Sequence, residues 1–142
     1  MSNNFELLLL IHLFTTIFMT GLCWFVQIVH YPLFRAMKLE DVPQYEQKNK
    51  VTGYITVTVM TVELITGLVL LYEQLELLYI LNIVLLAIIW LSTAIYQVPM
   101  HLKLMIVASN ETISKLIRTN WIRTLAWSIR SGILIVILWG LL

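Results

Sequence analysis

The sequence predicts an all-α fold: an integral membrane four-helix transmembrane bundle with cytoplasmic helical extensions. Three observations predict it. Of 142 residues, 60% are apolar and only 12% charged, with a mean hydropathy of +0.88. Soluble domains carry roughly 25% charge, and neither a soluble domain nor a disordered chain solvates so much apolar surface. Apolar segments stand at about 7–29, 54–72, 77–98 and 121–142, each long enough to cross a roughly 30 Å hydrocarbon layer at about 1.5 Å per residue. Finally, the basic residues collect in two connections, although the net charge is only +1.

The first segment has no positive charge before its apolar run and no small-residue cleavage site after it. It reads as a retained span rather than a signal peptide. His30-Tyr31-Pro32 is expected to end or bend this helix, because proline disfavours helical geometry in the residue before it. Asp41 is a candidate N-cap with Pro43 just inside the next helix, which can run through Gly53 into span two. The β-branched residues of span two do not make it a strand, because backbone groups in lipid must bond within the segment. Glu73-Gln74-Leu75-Glu76 is a tight hairpin to span three. Pro99 deprives the Ile95 carbonyl of its donor and suits a bend or a stop. Ser109-Asn110-Glu111 reads as a helix start with Asn110 as cap, and a helix from there to Leu142 would be about 48 Å long. The whole chain, 1–142, is thus one membrane domain.

Arg35, Lys38, Lys48 and Lys50 lie in the first connection. Lys103, Lys115, Arg118 and Arg123 lie in or beside the third, while Glu6, Glu73 and Glu76 mark the opposite side. Short loops rich in Lys and Arg stay in the cytoplasm. Both termini are therefore expected outside the cytoplasm, and the expected location is a bacterial plasma (inner) membrane. The charge balance offers nothing to nucleic acid. The lone Cys23 excludes an intrachain disulfide and paired-cysteine zinc sites.

Polar groups in lipid are costly and usually face the bundle interior. Read at helical spacing, span one offers Thr20, Trp24, Gln27, His30 or Tyr31, and Phe34. Span two offers Thr52, Thr56, Glu63, Thr66 and Gly67, and span three Trp90, Thr93, Gln97 and His101. Span four offers Asn120, Arg123, Trp127 and Arg130. Glu63 and Arg130 fall at similar depth and are expected to form a buried ion pair, locking two helices or orienting a ligand. His12, near the outer end of span one, reads as a helix contact or as lining a wet crevice. His30 and His101 end two spans that run in the same direction. Two histidines at matched depth serve as acid and base, or hold a haem axially, so haem b is a candidate cofactor. A site of two histidines and Glu63 is not expected, because Glu63 lies about 18 Å of helix away. Trp24, Trp90 and Trp127 either fill the core or wall a flat aromatic ligand.

The chain resembles the small four-span membrane proteins related to anthrone oxygenase. The resemblance rests on His30-Tyr31-Pro32-Leu33 after span one and on Pro99 to Leu104 closing span three. Its third element is Asn120-Trp121-Ile122-Arg123 with Trp127 and Arg130 entering span four. It departs from the family at His101, where an asparagine is usual. The resemblance implies oxidation of a polycyclic phenolic substrate by dioxygen.

The leading expectation is a membrane-embedded oxidoreductase or ligand-binding protein. It would hold a flat apolar molecule (polycyclic, phenolic or quinone-like) in a cavity on the cytoplasmic side. His30, His101 and Arg123 are the candidate catalytic residues. Gln27, Tyr31, Gln97, Asn120 and Trp127 are the candidate ligand-binding residues, with Glu63 and Arg130 supporting the floor. The alternatives are a haem- or pigment-binding subunit of a larger membrane complex, and a structural or assembly protein without ligand. Expected partners are membrane lipid, a small apolar ligand, and a second copy or larger complex.

Overall fold

The computed structural model describes residues 3–141; Leu142, the expected end of span four, lies outside them. The first helix, α1 (Asn3–Phe25), runs through a π-helical turn (Val26–His30) into α2 (Tyr31–Ala36). Next comes α3 (Val42–Glu73). Then α4 (Leu77–Ser92) runs through a second π-helical turn (Thr93–Gln97) into α5 (Val98–Leu104), and α6 (Asn110–Trp139) completes the chain. The result is four continuous rods, Asn4–Ala36, Val42–Glu73, Leu77–Leu104 and Asn110–Trp139, each long and apolar enough to cross a membrane. At 28 to 33 residues they are about 42–50 Å long, more than the roughly 30 Å hydrocarbon layer requires.

The rods form an up-and-down bundle. The first and third each pack against both the second and the fourth, so the second and fourth face each other across the diagonal. Three buried apolar layers run along the axis. Phe5, Leu9, Leu70, Tyr79 and Leu134 fill the hairpin end. Met19, Cys23, Met60, Leu86, Ile89 and Trp127 fill the middle. Tyr31, Phe34, Val42, Met100, Leu104, Ile113 and Leu116 fill the end that carries the basic residues. The outer surface is studded with exposed Phe14, Ile65, Leu91 and Ile129, an apolar exterior that lipid solvates and water does not. The protein is an integral membrane four-helix bundle.

Local expectations need correction at three places. Pro32 and Pro99 neither end nor break their helices. Each follows a π turn that closes two residues ahead of it, with Tyr31 N–H donating to the Val26 carbonyl and Val98 N–H to that of Thr93. The wider i to i−5 turn moves aside the carbonyl with which a proline ring collides in a regular helix. At the start of α6 the cap is Ser109, not Asn110. Ser109 is extended (φ −143°, ψ 148°) and its Oγ accepts from Thr112 N–H at 3.2 Å, while Asn110 is already helical. Trp24 is not a core residue: it is 36% exposed and donates from Nε1 to Ser128 Oγ at 3.0 Å. The N-cap of α3 is Asp41, with Pro43 in the first turn and no bond from the Asp41 side chain.

Candidate functional site

Two polar places occupy the bundle interior, separated by the middle apolar layer. The first lies toward the hairpin end. Glu63 and Arg130 meet across the diagonal, Nη2 donating to Oε2 at 2.7 Å, with both side chains fully buried. Thr16 Oγ1 donates to Glu63 Oε2 at 2.7 Å and Thr15 Oγ1 to Oε1. Arg130 also donates to Asn82 Oδ1, from Nη2 at 2.9 Å and from Nε at 3.2 Å. His12 joins the same network, through Nδ1 to Thr66 Oγ1 at 2.7 Å and through Nε2 to Arg130 Nη2 at 3.2 Å. It is a buried contact between helices, the first of its two expected readings, and a member of the charge network. The Arg130 guanidinium lies 4.6 Å from the Trp127 ring centroid. Desolvated charges survive because each finds an opposite charge and several hydrogen bonds. Gly67 keeps the helices close enough: a Cβ there would stand 2.8 Å from Ile83 Cδ1 and 3.1 Å from His12 Cε1.

The second place is a cavity of about 480 Å³ at the end of the bundle that carries the basic residues, lined by side chains from all four rods. The first rod brings His30 and Tyr31 to it, and α3 brings Glu46. His101 comes from α5, Gln97 from the second π turn and Arg123 from α6. Around these polar groups the wall is mainly apolar, with Leu22, Val26, Val57, Val98 and Leu102.

Glu46, His101 and Tyr31 form a chain. Glu46 Oε2 lies 2.9 Å from His101 Nδ1, and His101 Nε2 lies 2.9 Å from the Tyr31 hydroxyl. The carboxylate accepts, so Nδ1 carries a proton, and the donor at the Nε2–Tyr31 contact is set by whether Nε2 carries a second. Glu46 is 2% exposed and also accepts from Asn49 Nδ2 at 3.3 Å. His30 Nδ1 lies 3.2 Å from the Tyr45 hydroxyl, while its buried Nε2 has no partner among the described residues.

Arg123 is the odd member. It is 6% exposed, yet it forms no ion pair among the described residues. Its one hydrogen bond runs from Nη1 to Asn120 Oδ1 at 3.4 Å, and its Nε is buried without a partner. Asn120 in turn donates from Nδ2 to Gln27 Oε1 at 3.0 Å, and Gln27 Nε2 donates to the Ile117 carbonyl at 3.2 Å.

The cavity therefore gathers His30, Tyr31, Gln97, His101 and Arg123, and leaves out three expected wall residues. Gln27 and Asn120 are not among its lining residues: their amides bond each other and the Ile117 carbonyl, and Asn120 Oδ1 accepts from Arg123. Trp127 is fully buried against Arg130 and walls no cavity. Glu63 and Arg130 are not its floor either, because Met60, Cys23, Ile89 and Trp127 lie between. Axial haem ligation by His101 would require Nε2 to give up the Tyr31 hydroxyl 2.9 Å away, with Nδ1 still directed at Glu46.

Sequence reasoning missed Glu46, Tyr45 and Asn82. For Glu46 a signal was present. The positions 46, 53, 60 and 67, interleaved with 49, 56, 63 and 70, form one continuous helical stripe that also holds Glu63. Extending the span-two face backwards along that stripe reaches Glu46. Compared with protein-family models, curated proteins and solved structures, the chain matches none.

Proposed function

We propose that this protein binds a flat, apolar molecule bearing an acidic hydroxyl or carbonyl oxygen in the cavity and draws a proton from it. The carrying observation is Arg123, a buried cation that forms no ion pair among the described residues, on the wall of a mainly apolar cavity. An unpaired buried charge is expensive, and a buried donor without an acceptor marks a missing partner. A ligand oxygen or oxyanion supplies both. The Glu46–His101–Tyr31 chain supplies the other half of the chemistry. Tyr31 O–H is oriented toward His101 Nε2, which leaves the phenol oxygen able to accept a ligand proton as its own passes to His101. Glu46 then faces an imidazolium. Arg123 holds the anion that remains.

The resemblance to the anthrone-oxygenase-like family extends this reading to an oxidoreductase, with dioxygen as the oxidant of the deprotonated polycyclic phenol. The location in a bacterial plasma membrane, with the cavity in the cytoplasmic half, is part of the same proposal. It is supported by the basic residues at the cavity end.

The test uses the purified detergent-solubilised protein. Residual ligand is identified by extraction and mass spectrometry, and 1-naphthol serves as an absorbing flat phenol, with naphthalene as its non-acidic control. Naphthol is expected to bind with the red-shifted band of the naphtholate, and naphthalene more weakly. Arg123→Gln weakens naphthol binding by about tenfold or more, the scale of a hydrogen bond to a charged group. His101→Gln retains binding but loses the red shift. Unchanged affinity in Arg123→Gln would remove the site assignment.

A further inference from the structure

A second cavity, of about 510 Å³, lies outside the bundle core between the end of the first rod and the beginning of α6. Its wall carries Arg35 from α2, and Glu111, Ser114, Lys115, Arg118 and Trp121 from α6. The α6 members are spaced by three and four residues and so share a face. Arg35 Nη2 donates to Ser114 Oγ at 3.5 Å and bridges the two helices. Three cations thus surround a cleft that holds one carboxylate, and none of the three forms an ion pair among the described residues.

The polar cleft grades into an apolar surface. Trp121 packs edge-on against Trp24, with ring centroids 5.6 Å apart and planes at 86°. Trp24 spans from Trp121 to Ser128, and Leu125 lies between these two on the same helix face, 52% exposed. Ile28, one turn from Trp24, is 61% exposed. Cations above, an aromatic pair at the boundary and aliphatic side chains below match an amphiphile lying along the helices. Tryptophans favour the headgroup level, and basic pockets between helices bind anionic headgroups.

We infer that this cleft holds the phosphate of an anionic phospholipid, with Arg35, Lys115 and Arg118 as its ligands and the Trp24–Trp121 pair beside its acyl chains. The site is independent of the ligand cavity, with which it shares no lining residue.

Native mass spectrometry of the purified protein with equimolar phosphatidylglycerol and phosphatidylcholine tests the assignment. The expected result is retained phosphatidylglycerol, favoured by about tenfold or more. That preference is lost in Arg35→Gln/Lys115→Gln/Arg118→Gln. These side chains are exposed, and an unchanged melting temperature checks that the variant folds. The matched variant Lys38→Gln/Lys48→Gln/Lys103→Gln removes three exposed cations elsewhere and should keep the preference. Equal retention of both lipids, or equal loss in the two triple variants, would overturn the inference in favour of diffuse surface charge. A third arm adds millimolar inorganic phosphate against chloride of equal ionic strength. Selective displacement of phosphatidylglycerol by phosphate would transfer the site to a soluble phosphate and overturn the lipid assignment, whereas persistence supports it.

Discussion

Arg123 and Arg130 stand two turns apart on α6, both buried, and meet opposite environments. Arg130 is enclosed by Glu63, Asn82, His12 and the Trp127 ring. Arg123 has only the Asn120 carbonyl oxygen. Each guanidinium keeps one buried nitrogen without a partner among the described residues, but only Arg130 is paired with a carboxylate, which is why the ligand is proposed at Arg123 and a structural role at Arg130. The difference is measurable in thermal unfolding in detergent. Glu63→Ala strands a buried guanidinium and is expected to destabilise by about 3–5 kcal/mol. Glu63→Leu/Arg130→Met removes both charges at similar volume and should cost less than the single change. Equal loss in the two variants would deny that the pair compensates. At this scale the sequence made Glu63 and Arg130 legible, because charges deep in apolar runs are conspicuous. It hid Asn82 and the joining of His12 to the pair, because both types are as common at a wet interface as in a buried network.

At the scale of the element, the two π turns decide where the functional side chains point. Each adds one residue to a turn, so the helix beyond a π turn keeps its facing despite the extra residue. Gln97 and His101 reach the cavity from either side of the junction at Val98. Two deletions of one residue type at exposed positions separate this from generic disruption. Deleting Ala94, inside the π turn, should restore an ordinary α turn and leave the fold and its melting temperature close to wild type. Deleting Ala87, in the regular part of α4, rotates everything after it by about 100° and should turn His101 out of the cavity. Circular dichroism and thermal melts compare the two directly. Similar loss in both would show that the π turn absorbs no residue. The prolines were visible in the sequence, but their consequence was not. Whether a helix breaks or widens at proline depends on packing beyond it, here Phe34, Met100 and Leu104 in the layer at the basic end.

At the scale of the whole molecule, the bundle has two unlike ends. One is closed by a hairpin of three residues, Gln74 to Glu76, between α3 and α4. The other carries eight of the nine basic residues (Arg35, Lys38, Lys48, Lys50, Lys103, Lys115, Arg118 and Arg123), the cavity lined by His101 and Arg123, and the cleft lined by Arg35 and Arg118. This asymmetry supports the proposed orientation in the membrane, which is open to labelling. With buried Cys23 replaced by alanine, Gln74→Cys should react with an impermeant maleimide on intact spheroplasts. Leu39→Cys, in the turn before α3, should react only after permeabilisation. The reverse pattern would invert the orientation and put the cavity in the outer leaflet.

The sequence by itself determined the solvent, the number of spans and the two-ended charge pattern. These depend on composition and on periods within one helix, which are local quantities. It also marked His30, Tyr31, Gln97, His101 and Arg123, because each interrupts an apolar stripe. Only the tertiary structure decided which of the marked residues share a chamber. It left Gln27 and Asn120 out of the cavity lining, gave Trp127 to Arg130, and brought Glu46 to His101 from a position 55 residues away. Contacts of that kind depend on the order of the rods around the bundle and on the depth at which helices cross. Neither is encoded in the spacing along any single helix.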